Sequence, residues 1–161
     1  MMPDATEESD FLDLPTQHPT GQDRQVYHHW LSVPTRWTDT DPYGLVGNVV
    51  YYSFFDTVVN DYLIRHSGFD PVNSAVISVV VETHCEFYSA IAFPQVVDLG
   101  LRIVSIHRST IKYEVGVFRH ESGEVAATGR IVHTFVDRHS RHPAAIPGQI
   151  RAGFTPLMRT D

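Results

Sequence analysis

Between Asn48 and Ser67 the chain sets Tyr51, Phe54, Phe55, Val58, Tyr62 and Leu63 at steps of three and four residues. That spacing predicts one long helix with a continuous apolar face. A face this aromatic must be covered, since each such side chain left in water forfeits about 1.5–3 kcal/mol. The rest of the chain supplies the cover. After Ser74 come "AVISVVVETHCEFYSAI", "QVVDLGLRIVSIH", "TIKYEVGVFRH" and "EVAATGRIVHTFVD", with "ESG" as a turn between the last two. They are β-branched and aromatic, and the later ones alternate, which predicts four successive antiparallel strands, mostly joined by hairpins. "YHHWLSVPT", Tyr27–Thr35, adds another, with Pro34 near its end where an edge or terminal position is tolerated. One helix and about five antiparallel strands pack as an α+β layer structure, and the sheet must curve round the helix to bury it. Asn48 is expected to cap the helix, Gly68 to close it, and Pro71 to follow.

The predicted organisation is a flexible acidic tail over residues 1–25, one domain over 26–155 and a short C-terminal tail over 156–161. The 161 residues suffice for one core. Net charge is −7, but residues 1–25 hold six acids against one arginine, so the body is close to neutral. That balance argues against bulk nucleic-acid binding, which needs a basic face. "RHSRHPAAIPGQIRAGF" after Asp137 reads as loop with a short helical turn. Cys85 is the one cysteine, so no internal disulfide is possible, as expected in a reducing compartment. The N-terminus shows no basic-then-apolar signal pattern, and no apolar run approaches a membrane span. A soluble cytoplasmic protein with no membrane and no nucleic-acid partner is the expectation.

Chemistry concentrates in "TDTDPYGLVGN", Thr38–Asn48, where two carboxylates precede the helix. An EF-hand reading fails. Counted from Asp39, position 5 is Tyr43 and position 12 is Val50, so two essential ligands are absent, and Pro42 stiffens the loop. A plain turn is consistent with Asp-Pro-x-Gly. A catalytic carboxylate is consistent too, because amides at a helix start can hold an oxyanion while the acid attacks or activates water. The ten histidines make no metal site. His28 and His29 are strand neighbours that point apart, and His139 and His142 lie in a polar loop. His84 and Cys85 likewise point apart, so Cys85 reads as a small hydrophobe.

"DTDPYGLVGNVVYYSFFDTVVNDYL", "ETHCEFYSAIAFPQVVDLGLRIVSIHRSTIKYEVGVF", "ATGRIVHTFVD" and "IPGQIR" resemble the 4-hydroxybenzoyl-CoA thioesterase family of the hotdog superfamily, over about Tyr27–Phe154. The resemblance implies a hotdog fold, a long central helix wrapped by a curved antiparallel sheet of about five strands. It implies hydrolysis of an acyl-CoA thioester to free acid and CoA without a metal or organic cofactor. It also implies a homodimer or a homotetramer built as a dimer of dimers, with sites at the dimer interface.

Asp41 falls on the family's catalytic carboxylate, Asp39 on a less critical partner position and Gly44 on the loop glycine. Tyr51 falls on a helix-face tyrosine. Beside it, Phe54 and Phe55 are expected in an apolar acyl pocket. Arg108, Ser109 and Thr110 lie where the family contacts pantetheine or phosphates, with His107 and Lys112 adding cationic contacts. The oxyanion donor would be a backbone amide near residues 74–78 of the neighbouring subunit. Glu82 is a second carboxylate, more simply read as a solvent-facing strand residue. Two departures stand out: Leu45 replaces a histidine common among relatives, and Gly47 replaces an asparagine that Asn48 follows. A hydratase reading would need a histidine soon after Asp41, and none occurs before His66. A non-catalytic acyl-CoA or acyl-carrier binding module is the alternative.

Overall fold

The structure, a computed structural model, describes residues 21–158. Strand β1 spans His29–Pro34 and helix α1 Asn48–His66. Strands β2, β3, β4 and β5 span Val76–Phe87, Val96–Ile106, Thr110–Arg119 and Val125–Asp137, and a short helix α2 spans Gly148–Gly153. The strands form one antiparallel sheet in the order β1-β3-β4-β5-β2. The hairpins expected at 107–109 and 120–124 form, the second turning on Gly123 at φ +73°. β2 and β3 are not neighbours. β2 crosses to the far side of β5, leaving β1 and β2 as the two edges.

The α1 face is covered as its spacing requires. Tyr51, Phe54, Phe55, Val58, Val59, Tyr62 and Leu63 are all buried. They meet the inward row of the sheet, which includes Leu99, Leu101, Val115, Val117, Ala127 and Ile131, also buried. Gly129 belongs to that row because a Cβ there would meet the Phe55 ring at 2.3 Å. Gly68 follows the helix at φ +73°, a conformation that favours glycine. The helix start differs from expectation. Gly47 is the N-cap in an extended conformation and Asn48 is the first helical residue, so no side chain caps the first turn.

Residues 21–27 and 155–158 are packed, so the folded body extends beyond the expected 26–155; residues 1–20 and 159–161 lie outside the described residues. Tyr27 lies across the outer face of the sheet, over Gly100 and Gly116, and its hydroxyl donates to Gly21 O at 2.6 Å. The Arg24 guanidinium stacks on Trp30 at 4.3 Å. At the other terminus Leu157 is buried in the main core. No helix among the described residues is long and apolar enough to cross a membrane.

His133 points into this core beside Tyr113, ring centroids 5.2 Å apart, and its Nδ1 has no partner among the described residues. Burial pushes its pKa from 6.5 down to about 4. In that window the unfolded chain takes a proton that the folded one refuses, so stability is lost as pH falls from about 7 toward 4, by up to roughly 3 kcal/mol. Melting temperatures at pH 7.5 and 4.5 should therefore separate less in His133→Leu than in wild type. An equal separation would show that His133 does not contribute.

Candidate active site

The loop of residues 35–47 is built tightly. Asp39 is buried, and its carboxylate accepts from Arg36 Nη2 at 2.8 Å, Arg36 Nε at 3.1 Å and the Arg36 backbone N–H at 2.8 Å. This acid is consumed in holding the loop. Asp41 is different. Its Oδ1 accepts from the backbone N–H groups of Tyr43 at 2.9 Å and Leu45 at 3.1 Å, while Oδ2 has no partner among the described residues. Gly44 makes the turn at φ +80°, closed by its N–H to Asp41 O at 3.0 Å. The loop is then stitched to the segment after β2: Val46 N–H donates to Ile91 O at 2.8 Å, and Leu45 bridges Ala92.

Between these two segments lies a cleft of about 300 Å³, lined by Asp41, Leu45, Val46, Asn48 and Tyr51 on one side and by residues 87–90 on the other. Asn48 opens α1, whose first-turn amides have no side-chain cap. A half-exposed carboxylate, an uncapped helix start and a mostly apolar wall thus share one small space. Tyr51 is buried and packs edge-on against Phe87, centroids 4.9 Å apart. Cys85 lies nearby, and burial pushes its pKa up to about 11, which keeps it a neutral thiol.

The residues singled out in the sequence divide into three sets. Asp41 and Tyr51 share the cleft. Phe54 and Phe55 do not line it, because their side chains turn into the main core against the sheet. His107, Arg108, Ser109 and Lys112 lie at the opposite end of the sheet. Val96, at the start of β3, pairs with Pro34 next to the Asp41 loop, whereas His107 follows the strand's other end. Roughly 30 Å of strand separates them. The hairpin is held by its backbone: Phe135 N–H donates to Ser109 O at 2.7 Å, Ile146 N–H to Arg108 O at 2.8 Å and Arg151 Nη2 to His107 O at 2.6 Å. Arg108 and His107 are left exposed. Arg138, Arg141 and Arg151 join them at this end, where Asp137, the last residue of β5, is a nearby acid.

The second wall of the cleft, Phe87 to Ala90, was not legible as functional. In the sequence it is the frayed end of a strand, and only the crossing of β2 to the sheet edge brings it beside Asp41. Arg119, which holds that wall, was missed for the same reason.

The family model of the thioesterase-like superfamily matches residues 35–154. The chain belongs to the thioesterase-like superfamily. Among solved structures, the PA5185 protein from Pseudomonas aeruginosa strain PAO1 is 43% identical and superposes with a TM-score of 0.82, covering 84% of this chain and 94% of that one. The protein SAV2348 from Staphylococcus aureus, solved in complex with CoA, is 17% identical with a TM-score of 0.74, over 82% of this chain and 86% of that one. A 1,4-dihydroxy-2-naphthoyl-CoA thioesterase from Synechocystis is 14% identical with a TM-score of 0.72, over 78% and 93%. The last two share the fold. No curated protein matches the chain. The superfamily assignment and these neighbours establish the hotdog fold, helix α1 wrapped by the five-stranded sheet.

Proposed function

We propose that this protein hydrolyses acyl-CoA thioesters to the free acid and CoA, with Asp41 as the reacting carboxylate. The observation that carries the reading is the state of Asp41: Oδ1 is pinned by two loop amides and Oδ2 is left unpartnered beside an uncapped helix start. A carboxylate so fixed loses little freedom on meeting a carbonyl. Either Oδ2 attacks the thioester carbon, giving an anhydride that water then cleaves, or it takes a proton from water that attacks directly. In both routes the carbonyl oxygen gains charge that backbone amides stabilise, and the C–S bond breaks to release the CoA thiol. Tyr51 and Phe87 offer an apolar wall for the acyl group; Phe54 and Phe55 support that wall from the core. No metal or organic cofactor is needed in this scheme.

The separation of Asp41 from Arg108 supports a site shared between two subunits. β2 is an edge strand, and its middle exposes Val80 and Val81. One end of β2, Phe87, lines the Asp41 cleft; the other, Val76, pairs with Asp137 beside the basic hairpin. Antiparallel pairing of β2 with the same strand of a second copy sets each Phe87 end against the partner's Val76 end. Each cleft then faces the partner's hairpin, whose Arg108, Ser109, His107 and Lys112 receive the phosphates and pantetheine. We assign the protein as a homodimer on this basis, with a dimer of dimers as the larger assembly, acting in the cytoplasm.

The test is subunit complementation, read as free-thiol release from benzoyl-, phenylacetyl-, short-chain and long-chain acyl-CoA. Asp41→Asn and Arg108→Ala homodimers should each be weak. Co-expressed, random pairing in a two-fold dimer restores one intact site to half of the dimers, so about a quarter of wild-type activity returns. No recovery would place both residues in the same subunit's site. If wild type itself turns over none of these thioesters but binds CoA, the protein is an acyl-CoA binding module, the reading that Leu45 in the cleft favours.

A further inference from the structure

We propose that Arg119 is a positioning residue for this site, fixing the wall that faces Asp41 across the cleft. The inference rests on the functional reading above and extends it to a residue outside the cleft.

Arg119 ends β4 and reaches back under the segment that follows β2. Its Nη1 donates to Ser89 Oγ at 2.7 Å, and its Nη2 donates to Ala90 O. Ser89 passes its own hydroxyl proton to Val125 O at 3.2 Å, so that side chain is fully committed and is no nucleophile. Glu124 balances part of the Arg119 charge at 3.8 Å. The guanidinium is largely enclosed, with the side chain 18% exposed. Two adjacent wall residues, both lining the cleft with Asp41, are therefore held by one rigid planar group.

The consequence runs one peptide further. With Ala90 C=O turned toward Arg119, the N–H of the same planar peptide, that of Ile91, points the opposite way. The Ile91 carbonyl is also fixed, because it accepts the Val46 N–H at 2.8 Å from the Asp41 loop. Tyr51 lines the same cleft as Ser89 and Ala90. Burial, with a smaller push from Cys85, raises the Tyr51 pKa, while the Arg119 charge and the Ile91 backbone act against that rise. Arg119 thus holds the wall opposite Asp41 in place without touching the substrate.

The experiment uses the full-length protein, with Arg119→Lys and Arg119→Met beside wild type and Asp41→Asn. Steady-state kinetics are read on benzoyl-CoA and hexanoyl-CoA, and hydrogen–deuterium exchange is read on the peptide containing residues 88–92. Arg119→Met should speed exchange in that peptide with the core of β3 and β4 unchanged, and should lower kcat by ten- to a hundredfold while KM moves less than threefold. Arg119→Lys, which retains one donor, should fall between. Unchanged exchange at 88–92 would overturn the clamp, whether or not the protein turns over a thioester. Faster exchange with unchanged kcat would overturn its link to the reaction. A silent wild type would count against the proposed hydrolysis alone, since the exchange comparison still decides the clamp. If Arg119→Met does not fold, Arg119→Lys carries both readouts.

Discussion

Asp41→Asn is expected to lower kcat/KM for thioester hydrolysis by 10²- to 10⁴-fold, the usual range for losing one acid–base group, or about 3–5 kcal/mol of transition-state stabilisation. The substitution is a clean one because of how the side chain is used. An asparagine oxygen can still accept from Tyr43 N–H and Leu45 N–H, so the turn built on Oδ1 survives. Only the charge and basicity of the second oxygen are removed. Free-thiol release measures the rate, and a melting temperature within a few degrees of wild type shows that the loop is intact. Asp41→Ala should lose both the rate and part of the loop. If Asp41→Asn retains wild-type rate, the carboxylate is a turn-former only, and the chemistry must be sought elsewhere.

The second large effect is on stability. Phe55 is 1% exposed and its ring fills the space that Gly129 leaves on β5. Phe55→Ala should cost about 3–5 kcal/mol, read as a lowered urea midpoint with an unchanged slope. Gly129→Ala should cost about 1–3 kcal/mol by overpacking, because its Cβ meets that ring at 2.3 Å. The two are coupled. Once the ring is gone, the added methyl occupies part of the cavity, so the double variant should be more stable than the sum of the single losses predicts. Simple additivity would mean that helix and strand separate locally when either residue changes.

These two sites also mark how far the sequence could be read. Phe55 was legible as core because helical periodicity is a local signal, and the alternation in "LGLRIV" or "YEVGVF" is equally local. Gly129 was not, since a glycine in a strand acquires its meaning from the ring opposite. Asp41 was legible from its loop and from the family resemblance. Its distance from Arg108 was not, because it depends on strand order, and β2 gives no hint that it will skip β3 and β4. Phe54 and Phe55 were assigned to the acyl pocket on residue type. A helix that crosses a sheet, however, offers only its first turn to a cleft at the sheet's end, which is why Tyr51 reaches the cleft and they do not.

The placement of β2 at the edge also governs how the chain is made. Among the described strands its sole partner is β5, the last of them in chain order. When "AVISVVV" leaves the ribosome, the whole β3-β4-β5 meander is still to come. Until then an apolar, β-branched segment has no edge to pair with, which is the condition under which chains associate wrongly. The bulge at Val80/Glu82 interrupts the regular ladder that this segment makes with β5. Its folding should therefore be slow, dependent on a complete C-terminal half, and sensitive to truncation within β5 well before any site residue is lost.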